Sequence, residues 1–236
     1  GKALFNILPL AQDERITSIV PLPEDPEDHK RWQMMFATTG GNVRRNELAD
    51  FSQVNRNGKI AMKLEEGEAI ASVQLCTEQD DVLLTTANGA CIRFPATEVR
   101  VFKGRDSVGV RGIRLEEGDK IISMAIITHS NASAEERAAY LRISGAERRA
   151  LSANPADEPA VVEPDAEEAV DGDVQVDKVR RLEMQTNEQF ILTVSENGYG
   201  KRTSFEEYRN QTRGGKGIIT MKTSDRNGAL VGAHSV

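Results

Sequence analysis

The sequence is poor in the residue types that make covalent staples and metal sites. Among 236 residues there are two cysteines, three histidines and one tryptophan. Cys76 and Cys91 fall in strand-like stretches and read as small buried thiols, not as a disulfide scaffold. Together with His29, His129 and His234 they offer no metal-ligand spacing. No apolar run is long enough to cross a bilayer and no secretory signal is recognisable, so the reducing cytoplasm is the expected compartment, with no membrane partner. Tyrosine is scarce too, and strand packing accounts for Tyr199 and Tyr208. None of Tyr140, Tyr199 and Tyr208 has the neighbours of an activated nucleophile, so no catalytic residue is expected. The chain opens at Gly1 without Met and stops inside an apolar run at Val236, as a piece of a longer protein is expected to do.

Charge is present but unevenly placed. The formal net charge is −7. Between Asn154 and Asp177 there are nine acids and no base. Without that stretch the rest of the chain is mildly basic. So acidic a run cannot bury enough apolar surface to fold, and it is expected to be a disordered tether.

What the sequence does have is an internal repeat. "MMFATTGGNVRRNELADF" from Met34, "VLLTTANGACIRFPATEV" from Val82 and "FILTVSENGYGKRTSFEEY" from Phe190 share one plan. Each is an apolar strand, a turn centred on Gly41, Gly89 or Gly198, and a second strand carrying Arg45, Arg93 or Arg202. Asn-Gly turns of this kind require positive φ and signal hairpins. A glycine-rich cationic loop accompanies each hairpin, as in "NRNGKIAMKLEEGEAIASV" from Asn55, "DSVGVRGIRLEEGDKIISM" from Asp106 and "RGGKGIITMK" from Arg213. A further apolar strand starts at Ile16, Ile70, Ile121 and Leu230. Gly58 aligns with Gly109, and repeats of about fifty residues with about four short strands each indicate blades around an axis. The next interval, from Gly109 to Gly214, is about twice as long. The excess, residues 128–187, is expected to be an insertion within one blade. It should begin with a short helix in "SAEERAAYLRI", where Ser133 and Glu136 have the spacing of a capping box.

On "NILPL" at Asn6–Leu10, "GVRGIRL" at Gly109–Leu115, "NGYGKRT" at Asn197–Thr203 and "RGGKG" at Arg213–Gly217, the chain resembles the C-terminal domain of the A subunit of bacterial DNA gyrase. The resemblance covers nearly everything but the insertion. It implies an all-β fold, a β-pinwheel whose neighbouring blades exchange strands, here a partial ring of about three complete repeats with partial flanking units. It also implies a module that wraps double-stranded DNA, working with the gyrase B subunit and a second A subunit in an A2B2 enzyme. ATP and Mg belong to that holoenzyme and no cofactor to this chain. The family's heptapeptide Q-R-R-G-G-K-G is matched at six of seven positions by Gln211–Gly217, which follows a later blade and reads as that blade's equivalent.

The chemistry of that stretch suits phosphate. Glycines let backbone N–H groups approach an anion, Arg213 offers forked donors and Lys216 a point charge. The spacing is not that of a nucleotide P-loop. The expected DNA-contacting set is therefore Gln211, Arg213, Gly214, Gly215, Lys216 and Gly217, with Arg56 and Lys59, Arg105 and Arg111 on related loops, and Arg44, Arg45, Lys201 and Arg202 on the hairpins. Two other readings remain open at this point: the related domain of topoisomerase IV, and a propeller whose basic loops bind an acidic protein.

Overall fold

The Gly-centred turns close three antiparallel hairpins in the computed structural model, which describes residues 3, 6–11, 14–25, 27–53, 58–151 and 176–236. The hairpins are β1 (Gln33–Thr38) with β2 (Asn42–Glu47), β4 (Asp80–Thr86) with β5 (Ala90–Pro95), and β8 (Phe190–Ser195) with β9 (Gly200–Ser204). Gly41, Gly89 and Gly198 have φ of 92°, 90° and 80°, a region that a Cβ disfavours. Each hairpin runs into a 3-10 turn, at Leu48–Phe51, Ala96–Glu98 and Phe205–Glu207. An inner strand follows each: β3 (Ile70–Cys76), β7 (Ile121–Thr128) and β11 (Leu230–Ser235).

Two short strands link the blades. β6 (Val110–Arg111) follows the second hairpin in sequence but pairs with β2, and β10 (Ile218–Ile219) follows the third hairpin but pairs with β5. The sheets accordingly read β3-β1-β2-β6, β7-β4-β5-β10 and β11-β8-β9. The second and third repeats thus each supply the outer strand of the blade before, the strand exchange of a β-pinwheel. The outer edge of β9 has no strand partner among the described residues, so the blades form an open arc and not a closed ring. An irregularity recurs where the inner strand meets the hairpin, at Ala37/Thr38, Thr85/Thr86 and Leu230/Gly232, a repeated bulge that turns the strand.

Period-two alternation sorts the core. Met35, Ala37, Val43, Val82, Leu84, Ile92 and Phe94 meet between the first and second sheets. Leu83 and Cys91, on the opposite face of the second sheet, meet Ile191, Phe205 and Tyr208 of the third. Met34 and Phe36 face away from the second sheet and pack with Leu48 and Met62. Strands β1 and β4 are therefore apolar on both faces, which is why "MMFAT" and "VLL" read as continuous runs.

The interval 128–187 runs from β7 of the second sheet to β8 of the third. It holds two helices, α1 (Ala134–Leu151) and α2 (Lys178–Thr186). The capping box forms as spaced: Glu136 N–H donates to Ser133 Oγ at 3.2 Å and Ser133 N–H to Glu136 Oε2 at 2.9 Å. Helix α2, not expected from sequence, is capped by Asp177, whose Oδ1 accepts from Arg180 N–H at 2.9 Å. The Arg180 guanidinium reaches Glu136 at 3.0 Å and clamps the two helices. Tyr140 and Ser204 hydroxyls both donate to Glu188 and fix α1 on the third sheet. The acidic tether expected over Asn154–Asp177 lies, apart from its last two residues, outside the described residues. No described helix is long and apolar enough to cross a membrane.

Candidate nucleic-acid interface

The loops that carry the short outer strands are joined edge to edge. Lys63 N–H donates to Ser107 O at 3.3 Å, and Arg114 N–H to Gly215 O at 2.8 Å. Arg105 Nη1 reaches Ile60 O at 3.2 Å, and Arg213 Nη1 reaches Arg111 O at 3.0 Å. The same two bonds thus recur one repeat later, and the segments around 58–65, 104–116 and 211–223 form one continuous edge. They also fix the register of the repeat. Gly109 and Gly217 precede β6 and β10, and a Cβ there would stand 2.2 Å from Val43 O and 2.4 Å from Cys91 O. Gly217, and not Gly214, is therefore the counterpart of Gly109, a correction to the alignment expected from the sequence.

This geometry reassigns several expected contacts. Arg44 is fully buried. Its guanidinium donates to the carbonyls of Arg105 at 2.6 Å and Ser107 at 3.1 Å, and also to Gly104. Burial pushes its pKa below the ordinary arginine value. Arg45 is buried as well, with Nε on Val99 O at 2.7 Å and Nη1 on Gln33 Oε1 at 3.1 Å. Neither can meet a phosphate. Both tie one blade to the next, because a buried guanidinium must spend its donors on carbonyls. Lys201 Nζ donates to Thr220 O at 2.8 Å and belongs with them. Arg202 is exposed and lies 4.2 Å over the Phe190 ring, away from the loop edge.

Within the glycine-rich stretch the roles divide. Arg213 is first a structural tie, with Nε on Glu98 O at 3.0 Å and its backbone N–H on Glu98 Oε2 at 2.9 Å. Gly214 N–H donates to Gly112 O at 2.6 Å, so it is not available to an anion. The Gly217 backbone closes on Cys91 O, where only glycine fits. Gln211 N–H donates to Arg93 O at 2.8 Å. Lys216 projects into solvent, as does Arg111, while Lys59 is half-buried beside Gly58. Arg56 lies outside the described residues. The structure thus gathers Lys59, Arg105, Arg111, Arg213 and Lys216 on one edge and removes Arg44, Arg45, Lys201 and Arg202 from it.

The same edge carries cations that sequence reasoning passed over. Lys63 and Arg114 begin the two equivalent inter-loop hydrogen bonds, and Lys222 stands at the corresponding place after β10. All three side chains are exposed. The signal was present in "AMKLEE", "GIRLEE" and "TMKTSD", one cation per repeat at one position, but it lies past the glycines that drew attention. Exposed acids follow at Glu65, Glu66, Glu116 and Glu117, whereas the third loop continues with Asp225 and Arg226. The edge is therefore most basic around Lys216 and Lys222.

No catalytic arrangement accompanies this edge among the described residues. The Tyr208 hydroxyl is buried against Thr220 Oγ1 at 2.7 Å and its pKa is raised by burial. Burial likewise pushes the Cys76 and Cys91 thiols up to about 12. Among the described residues no three His, Cys, Asp or Glu side chains are placed to hold a metal ion.

Comparison with known proteins agrees with this architecture. The family model described as the DNA gyrase C-terminal domain, beta-propeller, matches residues 33–77, 80–128 and 189–236, one segment for each of the three sheets. The DNA gyrase A subunit of Rickettsia bellii (strain RML369-C) is 43% identical over the whole chain, and that of Escherichia coli (strain K12) is 33% identical. The chain spans 25% and 20% of their respective lengths. In fold, the chain is similar to the C-terminal domain of a DNA topoisomerase IV, with a TM-score of 0.68 at 20% identity, covering all of this chain and 55% of that one. With three strand-exchanging blades and a family match to each of them, the chain belongs to the family of C-terminal domains of the DNA gyrase A subunit, among the type IIA topoisomerases.

Proposed function

We propose that this chain binds duplex DNA through phosphate contacts along the loop edge and bends the duplex around the arc of blades. The observation that supports it most is the recurrence of one exposed cation at one structural position, Lys63, Arg114 and Lys222, on three loops hydrogen-bonded in series. Arg111 and Lys216 add to the same edge. Cations on loops, carrying mobile point charges and forked donors, suit backbone contact without sequence readout. Bending costs elastic energy, so several contacts spaced along the arc must act together.

In a longer protein of this family, the bent segment would be presented to the strand-passage machinery, in support of ATP-dependent negative supercoiling. The gyrase B subunit and a second A subunit are its proposed partners there. ATP and Mg are supplied outside this chain, and the proposed setting is the bacterial cytoplasm beside the nucleoid.

Titration of the chain with duplexes of increasing length tests the reading. Affinity should rise with length until the edge is filled and then level off, alike for unrelated sequences. Affinity that is independent of length, or confined to one sequence, would reject it.

A further inference from the structure

The loop edge is not uniform, and the difference lies in its acids. Near their short outer strands the second and third loops present matched exposed cations, Arg111 and Arg114 on the one, Lys216 and Lys222 on the other. Beyond the cation the first two loops repeat one pattern. Lys63 is followed by Glu65, Glu66 and Glu68, and Arg114 by Glu116, Glu117 and Asp119. Glu65 with Glu66, and Glu116 with Glu117, are exposed pairs. Behind Lys222 the third loop has Ser224 in the place of Glu116 and Gly228 in the place of Asp119. Its one acid, Asp225, is followed at once by Arg226, and both are exposed.

The turn that follows the cation forms with or without a glutamate at its start. It closes in all three loops on one kind of backbone bond: Glu68 N–H to Glu65 O at 3.1 Å, Asp119 N–H to Glu116 O at 3.1 Å, and Gly228 N–H to Ser224 O at 2.8 Å. In the second loop the Asp119 carboxylate secures the turn against the hairpin, accepting from Asn88 N–H at 3.0 Å. The third loop is secured without charge. Asn227 Oδ1 accepts from Ser224 N–H at 2.7 Å, and the Asn227 amide donates to Lys222 O at 2.8 Å. The fold of the turn therefore does not call for the exposed acidic pairs.

They bear instead on what approaches the cation. A phosphate that comes to Lys63 or Arg114 also comes within about one screening length, roughly 10 Å, of the carboxylates two and three residues on, whose repulsion offsets the attraction. A phosphate that comes to Lys222 meets one carboxylate and a further guanidinium. We infer that Glu65–Glu66 and Glu116–Glu117 set the order in which the edge takes up a duplex. The third loop captures the DNA, and the first two close on it only when the captured duplex is long enough to be held against them. The acidic pairs thus keep short duplexes off two of the three loops and make the grip depend on length. This rests on the phosphate-binding reading of the edge.

Salt titrations with the shortest duplex that the chain binds, chosen from the length series, test the inference. Glu116→Gln together with Glu117→Gln should tighten that complex several-fold, and Ser224→Glu should weaken it by a similar factor. In the unaltered chain Lys222→Ala should lower the slope of log K against log salt by about one unit, and Arg114→Ala by less than about half a unit; once Glu116 and Glu117 are neutralised, the two losses should become equal. Glu24→Gln together with Glu78→Gln makes the same change in net charge at exposed acids on no loop of the edge, and should leave the affinity within about twofold. The substituted side chains are all exposed, and thermal melts check that each variant keeps its fold. Equal losses from Lys222→Ala and Arg114→Ala in the unaltered chain would overturn the inference. So would a Glu116→Gln, Glu117→Gln variant that binds no tighter, or no tighter than the Glu24→Gln, Glu78→Gln variant. A chain that binds no duplex of any length would instead reject the phosphate-binding reading itself, and the inference with it.

Discussion

Arg93 and Arg202 occupy one register position in successive blades, yet one is 1% exposed and the other lies open to solvent. Around Arg93 the next repeat has folded over: Asp81 pairs with its Nε at 2.8 Å and the 205–208 turn accepts from Nη1. Beside Arg202, among the described residues, stands the Phe190 ring at 4.2 Å and no turn equivalent to 205–208. The same residue in the same pattern is a blade staple where the next repeat covers it, as at Arg93, and is exposed where no described residue does, as at Arg202. A basic residue in a repeat therefore does not reveal, by itself, whether it is meant for DNA.

The largest expected effect contrasts these two positions. Arg93→Ala leaves the buried Asp81 carboxylate without its guanidinium and should destabilise the chain by about 3–5 kcal/mol, whereas Arg202→Ala, losing an exposed ring contact, should cost about 1 kcal/mol or less. Urea melts of both variants measure the difference. Equal costs would show that the cover over Arg93 contributes nothing.

The hairpin turns give the next contrast. A Cβ at Gly89 would lie 2.0 Å from the Met221 carbonyl of the following repeat, while one at Gly198 meets nothing within 4 Å. Gly198→Ala should carry the left-handed penalty alone, about 1–2 kcal/mol. Gly89→Ala adds a backbone collision and should cost clearly more in the same melts. If the two are equal, the second turn is not packed under the third loop.

The smallest effect is chemical. Cys91 and Gly200 are equivalent positions, one beneath the next blade and one on the open edge. Burial raises the Cys91 thiol to about 12, so its neutral form is favoured in the fold. That contribution to stability is complete below the ordinary thiol pKa and fades as pH rises towards 12. At about pH 8, just below the ordinary thiol pKa, an alkylating reagent should leave native Cys76 and Cys91 unmodified and label a Gly200→Cys variant promptly, as read by mass spectrometry. Slow labelling at position 200 would mean that the edge is covered.

Much of the blade plan was legible in the sequence. Gly41, Gly89 and Gly198 marked the turns, the runs at Met34, Val82 and Phe190 marked the strands, and Ser133 with Glu136 marked the start of α1. Strand exchange entered through the family resemblance, not through periodicity, because a two-residue strand such as Val110–Arg111 has no pattern of its own. The site was read less well for a physical reason. Arg44 and Arg45 look like surface cations in sequence, but a hairpin strand covered on both faces buries them and must then satisfy them with protein oxygens, while half-buried Lys201 is held on the Thr220 carbonyl. Gly214 and Gly217 looked like a phosphate cradle, and instead they let one loop close on Gly112 and Cys91. Lys63, Arg114 and Lys222 emerged only when the inter-loop hydrogen bonds fixed the register.

The central claim is that the cations left outside by the fold, and not those that punctuate the strands, hold DNA. The most direct measurement is the salt dependence of duplex binding by a Lys63→Ala, Arg114→Ala, Lys222→Ala variant beside the unaltered chain. At about 0.9 per phosphate contact, the slope of log K against log salt should fall by roughly two to three units, with the same loss for every duplex sequence. An unchanged slope in a variant that melts like the unaltered chain would contradict the account.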